Sequence, residues 1–459
     1  MERKNAWTTY DEQELDSLEE LSRGYLDFLN KGKTERECVK QIVAMADAKG
    51  YKNLADIINS DEQLKPGDKV YNVCMGKTVA MFRIGTEDLS NGMNILGAHI
   101  DSPRMDVKQN PLYENGDFAY LDTHYYGGIK KYQWVALPLA IHGVVAKKDG
   151  SVTEICIGEK KGDPVFCVSD LLIHLAGEQM EKKANKVIEG ENLDILFGSR
   201  KLSGEDKDAV KQSVLQLLKD KYDMEEEDFI SAELEVVPAG EAREAGIDRS
   251  MIMAYGQDDR VCAYTSLVAM LDVEDSKKTT CCLLTDKEEI GSVGATGMRS
   301  MFFENTVAEI MNSMGEFNEL ALRRCLANSR MLSSDVNAAY DPLFASAFDK
   351  NNASYFGRGV VFSKFTGSRG KSGSNDANAE YIASIRKMMD DNNICYQTAE
   401  LGKVDVGGGG TIAYILSLYG MEVIDCGVAV LNMHAPWEVT SKADVYEAMK
   451  GYRVFLREA

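Results

Sequence analysis

Two adjacent carboxylates, Glu288 and Glu289, follow the apolar run Cys281-Cys282-Leu283-Leu284 and precede Ile290 and Gly291. A run of that length reads as a buried strand that stops abruptly at acids and glycine. Ligands of open α/β sheets gather beyond the carboxyl ends of strands, so the position suits chemistry. One glutamate there can bind a metal while its neighbour exchanges protons with water. An isolated acidic pair would be an ordinary solvated turn, but four other segments carry groups of the same kind. They are Gly97-Ala98-His99-Ile100-Asp101, Gly256-Gln257-Asp258-Asp259-Arg260, Ser333-Ser334-Asp335-Val336-Asn337 and Asn432-Met433-His434-Ala435-Pro436. Each has a plain explanation by itself. His99 and His434 could be packed imidazoles, Asp258 a helix cap and Asp335 a turn residue. Together they supply two histidines, three carboxylates and a spare glutamate, in a chain with only 5 histidines. A site for two neighbouring divalent cations needs that inventory. Imidazole and carboxylate donors favour zinc, with manganese or cobalt as alternatives. Such a pair, about 3.5–4 Å apart, polarises a carbonyl and generates hydroxide near neutral pH.

Residues 11–50 are expected to be helical, because Leu15, Leu18, Leu21, Tyr25, Phe28 and Leu29 recur at helical spacing, as do Val39, Ile42, Val43 and Ala46. Strands are expected over 79–84 and over 93–98, the second running straight into His99. From about 105 to 249 the texture changes to short β-rich runs, such as 135–145, 152–157 and 233–238, broken by turns and by one amphipathic helix over 207–222. From Asp258 onward strand and helix alternate: a helix over 261–271, a strand over 279–284, a helix from about Ser292, then strands over 359–365 and 424–431. The expected architecture is α/β, a mixed sheet flanked by helices, with residues 1–104 and 250–459 forming one domain and 105–249 an inserted, mainly β domain.

The 459 residues are 44% hydrophobic, enough for one large core and a smaller one. A net charge of −21 excludes binding of nucleic acid or anionic membrane by bulk electrostatics. No run of about 18 apolar residues suggests a membrane span, and Met1-Glu2-Arg3-Lys4-Asn5-Ala6-Trp7 lacks the apolar core of a signal peptide. The 10 cysteines contain no Cys-x-x-Cys pair, which fits buried thiols in a reducing, cytoplasmic setting. Gly407-Gly408-Gly409-Gly410-Thr411 lacks the Lys of a phosphate loop and suits close approach of backbone to a peptide.

The order His-x-Asp, Asp-Asp, Glu-Glu, Asp, His is similar to that of the co-catalytic zinc peptidases. The wording of residues 97–104, of Asp286-Lys287-Glu288-Glu289-Ile290-Gly291-Ser292 and of Met433-His434-Ala435-Pro436-Trp437-Glu438 resembles the aspartyl aminopeptidase family over almost the whole chain. The resemblance implies a zinc-peptidase sheet domain and a metal-dependent aminopeptidase acting on short peptides, with acidic first residues as the family's preference. It implies two divalent ions per subunit. Asp258 would bridge them, with Asp259 as the alternative; His99 and Asp335 would complete one site, and Glu289 and His434 the other. Glu288 would be the general base and Asp101 the group orienting His99. His174, which matches a histidine of the family's insertion, would face substrate or be a buried structural histidine; Lys364, read from its own segment, could offer a cation to an acidic substrate side chain or be an ordinary exposed lysine. The inserted domain would build dimers, and six dimers a dodecamer. Ala338 and Asp341 stand where eukaryotic relatives carry histidines, so the acidic preference is carried by the family and not by that segment. Deacylation of amino-acid derivatives on the same metals, or a non-catalytic assembly scaffold, are the alternative readings.

Overall fold

The structure is a computed structural model that describes residues 4–205 and 207–459. They divide into two compact units. The first comprises residues up to Asp101, Ala242–Met433 and Glu438–Ala459; the second comprises Ser102–Glu241 and His434–Trp437.

The first unit is built on a nine-stranded mixed sheet. Its strands run in the order Lys52–Asn53, Lys69–Cys74, Thr78–Arg83, Thr279–Thr285, Met93–His99, Arg330–Ser334, Glu422–Gly427, Val360–Ser363 and Tyr396–Thr398. Four central neighbours, from Thr279–Thr285 to Glu422–Gly427, are parallel. The strands on either side of these four are antiparallel to them. Every residue of Met93–His99 and Thr279–Thr285 is buried, which is why both read as continuous apolar runs and not as alternating ones. Successive side chains point to opposite faces, so the two faces carry separate cores. Leu96, Ala98, Cys282 and Leu284 pack with the helices Glu12–Lys31, Glu35–Ala48, Gln257–Leu271 and Lys442–Glu458. Ile95, Cys281 and Leu283 pack with Phe302–Ser313 and Glu319–Asn328.

The two N-terminal helices start where their caps dictate. The Asp11 side chain accepts from the Glu14 N–H at 2.9 Å. Thr34 and Glu37 form a reciprocal capping box. Leu18, Tyr25, Phe28 and Ile42 line their buried faces.

Two expectations are corrected. The helix expected from Ser292 begins only at Phe302. Lys287, Gly291 and Ser292 all have positive φ, which a right-handed helix excludes, so Glu288–Ile290 makes a single tight turn. The strand expected over 424–431 is two strands in two sheets. Glu422–Gly427 belongs to the nine-stranded sheet, and Ala429–Leu431 to a five-stranded sheet with Arg243–Ala245, Met251–Ala254, Glu438–Ser441 and Asn337–Ala338. Gly427 marks the change: a Cβ there would lie 1.8 Å from the Asp335 carbonyl oxygen, so only glycine lets the two backbones pass.

The second unit is a seven-stranded antiparallel sheet in the order Val152–Ile157, Leu139–Ala146, Ala232–Pro238, Arg104–Asn115, Phe118–Tyr126, Ile195–Gly198 and Cys167–Val168. The helix Ala209–Tyr222 buries Val210, Val214 and Leu218. Among the described residues no helix is long and apolar enough to cross a membrane.

Candidate metal centre

His99 is the last residue of its strand and pairs in register with Thr285, the last residue before Asp286-Lys287-Glu288-Glu289. Asp335 directly follows the strand Arg330–Ser334, whose Ser333 pairs with Gly97. Three segments therefore leave the sheet side by side at its carboxyl edge, carrying a histidine, two glutamates and an aspartate. Asp258 and Asp259 enter from the start of the buried helix Gln257–Leu271, and the peptide between them is cis.

The distances are those of a ligand cluster. His99 Nε2 lies 3.3 Å from an Asp258 carboxylate oxygen and 3.9 Å from one of Asp335. The other ring nitrogen, Nδ1, lies 3.0 Å from the Asp101 carbonyl oxygen and 3.3 Å from its carboxylate. Nδ1 therefore donates to Asp101, and Nε2 is the nitrogen facing the aspartates, where a bound cation would take it as a lone-pair donor. Ligand atoms of His99, Asp258 and Asp335 lie within 4.8 Å of one another, as do those of His99, Glu288 and Glu289.

Asp101 holds the glutamate turn as well as the ring. Its two carboxylate oxygens accept from the backbone N–H groups of Glu288, at 3.1 Å, and Glu289, at 3.2 Å. The aspartate pair is fixed from behind. Glu438, 1% exposed, accepts from the Asp258 N–H at 3.0 Å. The His99 N–H points to an Asp259 oxygen at 3.4 Å.

Such crowding of carboxyl groups has an electrostatic signature. Burial pushes Asp335 and Asp259 well above the usual carboxylate range, and neighbouring carboxylates push in the same direction. Burial works against charge on His99, yet its hydrogen bonds with Asp101 and Asp258 hold it well above the ordinary histidine value. An imidazole and several close acid oxygens in a dry site suit a divalent cation, which would neutralise the carboxylates that otherwise repel one another.

The comparisons with known proteins agree with this geometry. Residues 28–456 match the family model described as Aminopeptidase I zinc metalloprotease (M18). The chain belongs to the M18 aminopeptidases. It is a metal-dependent aminopeptidase of that zinc-metalloprotease family. A probable M18 family aminopeptidase 1 from Clostridium acetobutylicum is 61% identical over 456 residues, covering 99% of this chain and 98% of the relative. One from Borreliella afzelii is 46% identical with 100% of each chain covered. The crystal structure of the Thermotoga maritima M18 aminopeptidase superposes with a TM-score of 0.95 at 45% identity over 100% of both chains.

His434, His174 and Lys364 complete the set of expected site residues of this M18 chain. His434 has a positive φ and groups with the second unit, where its Nδ1 lies 2.7 Å from the Gly128 carbonyl oxygen. Met433 and Glu438, on either side of that short excursion, belong to the first unit. His174 sits on an exposed turn, Ile173–Leu175, in the second unit. Lys364 is exposed, one residue past Val360–Ser363, and is in neither ligand cluster of the first unit.

The first two residues of the glycine run pack against backbone of this chain. A Cβ on Gly407 would lie 2.0 Å from the Leu401 carbonyl oxygen, and one on Gly408 2.1 Å from that of Gly367. These glycines let two loops of this chain pack on each other. Three supporting residues escaped the sequence reading: Glu438, Gln257 and Arg260. Gln257 donates to the Glu438 carbonyl oxygen at 2.7 Å. Their only sequence signal was adjacency to the acidic and histidine motifs.

Proposed function

We propose that this aminopeptidase uses two divalent ions, zinc by preference, to remove the first residue of short peptides. Asp258 would lie between the ions, His99 and Asp335 would complete one site, and Glu289 and His434 the other. Bound there, the ions would supply Lewis acidity toward the scissile carbonyl and lower the pKa of water toward about 7. The observation that carries this reading is the convergence of His99, Asp258 and Asp335 beside a glutamate turn held by Asp101.

The residues of the chain divide the remaining work. Glu288 takes a proton from the attacking water and returns it to the departing amine. Asp101 keeps His99 in one tautomer and aims the Glu288–Glu289 turn.

The oligomer belongs to the same proposal. A yeast mApe1 dodecamer shares the fold, with a TM-score of 0.75 at 21% identity. Around His174 the second unit exposes Leu171, Leu172, Ile173, Leu175 and Met180, of which Ile173 is 69% exposed. An apolar strip of that kind suits burial against another copy of the chain. We assign this segment to a dimer-based dodecamer in which His174 and Lys364 face substrate. Acidic first residues are the preferred substrates in this reading.

The test is Glu288→Ala. Turnover of a peptide substrate is expected to fall by about 100-fold or more, the range for loss of a general base, while metal content by elemental analysis stays at the wild-type value. Retained turnover refutes the assignment.

A further inference from the structure

Arg260 follows the aspartate pair directly and is fully buried. Burying a cation is costly unless its donors are satisfied, and the use of these donors is specific. Nε donates to the Ile100 carbonyl oxygen at 3.2 Å, and one terminal nitrogen donates to the Lys33 carbonyl oxygen at 2.9 Å. Its guanidinium carbon lies 5.3 Å from the centroid of the Tyr255 ring. Ile100 is the residue between His99 and Asp101. Its own N–H donates to the Thr285 carbonyl oxygen at 2.8 Å. Both backbone groups of Ile100 are thus pinned, one by the strand that leads to the glutamates and the other by Arg260.

Lys33 lies in the turn between the first two helices, and that turn is itself closed. Glu37 accepts from the N–H groups of Lys33, at 2.9 Å, and Thr34, at 3.1 Å, while Thr34 accepts from the Glu37 N–H at 3.2 Å.

We propose that Arg260 is a positioning residue for the metal centre, a brace whose guanidinium ties the turn at residues 32–34 to the turn that carries His99 and Asp101. A guanidinium presents donors in fixed, divergent directions and so spans two carbonyls at a set separation. A lysine in its place has a single nitrogen on a flexible stem and does not present donors at that fixed separation. Arg260 acts through Ile100 and touches no reacting atom. The inference rests on His99 as a metal ligand.

The experiment compares Arg260→Lys, Thr34→Ala and Lys442→Met in the full chain. Lys442 is a control, a fully buried cation paired with Glu19 at 2.7 Å and Glu244 at 2.6 Å. Zinc affinity is read by chelator competition, kcat and KM on zinc-saturated protein, and Tm on each variant. Arg260→Lys is expected to weaken zinc about tenfold or more, the range for lost ligand orientation, and to lower kcat with KM within about twofold. Thr34→Ala, which leaves Arg260 in place but opens the turn it holds, is expected to weaken zinc in the same direction by about threefold. Lys442→Met is expected to lower Tm and leave zinc affinity within about twofold. Unchanged zinc affinity in Arg260→Lys, or an equal shift in Lys442→Met, overturns the brace. If Arg260→Lys does not fold, an unchanged zinc affinity in Thr34→Ala does so. Wild-type protein that binds no zinc refutes the metal-site reading itself, a separate result.

Discussion

Replacing Asp101 by asparagine changes one atom in a residue with no exposed surface. The carboxylate accepts from two backbone N–H groups, of Glu288 and Glu289, one on each oxygen, and one oxygen also faces His99 Nδ1 at 3.3 Å. An amide has a single acceptor. Turned one way, its NH2 group faces the Glu289 N–H; turned the other, it faces both the Glu288 N–H and His99. Either choice removes a hydrogen bond to a charged acceptor, worth about 1.5–3 kcal/mol, and leaves a buried donor unsatisfied, which costs about 1–3 kcal/mol more. The loss is shared between global stability and the aim of His99 and the glutamates. If half of it appears in the transition state, roughly 1–3 kcal/mol, kcat/KM falls by about 10–100-fold, since 1.36 kcal/mol is tenfold in rate. Peptide hydrolysis at saturating zinc, with zinc affinity measured alongside, gives the answer. Asp101→Asn with kcat/KM and zinc affinity both within about threefold of wild type would refute the idea that Asp101 organises the ring and the turn together.

Further outcomes follow from the same geometry. His99→Ala should lose bound metal, seen as a lower metal-to-protein ratio, because it removes the imidazole that the two first-unit ligand groups share. A chelator should abolish hydrolysis of amino-acid p-nitroanilides by the wild type and added zinc should restore it; release from Asp and Glu but not from Leu or Lys derivatives would bear out the acidic preference. Burial pushes Asp425 up to about 7, against a hydrogen bond donated by Thr411. Its folded value lies above its unfolded one, so its contribution is fully present below pH about 4 and is lost as pH rises toward 7, a swing of up to roughly 4 kcal/mol. Asp425→Asn resembles the protonated form, so its Tm should come closest to wild type near pH 4 and exceed it progressively up to pH 8; a Tm difference that does not grow with pH would contradict this.

The buried strands were legible because burial on both faces forces continuous apolar runs, as in Met93–His99 and Thr279–Thr285. The N-terminal helices were legible through the spacing of Leu18, Leu21, Tyr25 and Phe28. What failed depended on backbone conformation or on sheet membership. No local pattern at Ser292 announces left-handed residues, and no pattern over Ile424–Leu431 says that Gly427 must slip past Asp335. Motif composition brought His99, Asp258, Asp335, Glu288 and Glu289 to attention, and the fold brings these residues together. Arg260 and Glu438 stayed silent because their partners are backbone atoms distant in sequence, where side-chain spacing carries no information.

The adjacent thiols Cys281 and Cys282 point into different cores, one on each face of the nine-stranded sheet. Burial raises the pKa of both, so each remains an unreactive thiol while its face is closed. The native chain therefore carries two built-in reporters one peptide unit apart. Pulsed alkylation followed by mass spectrometry would time the opening of each helical layer separately. Unequal labelling of these neighbours would show that the protein sheds one layer before the other, and not as a single cooperative block.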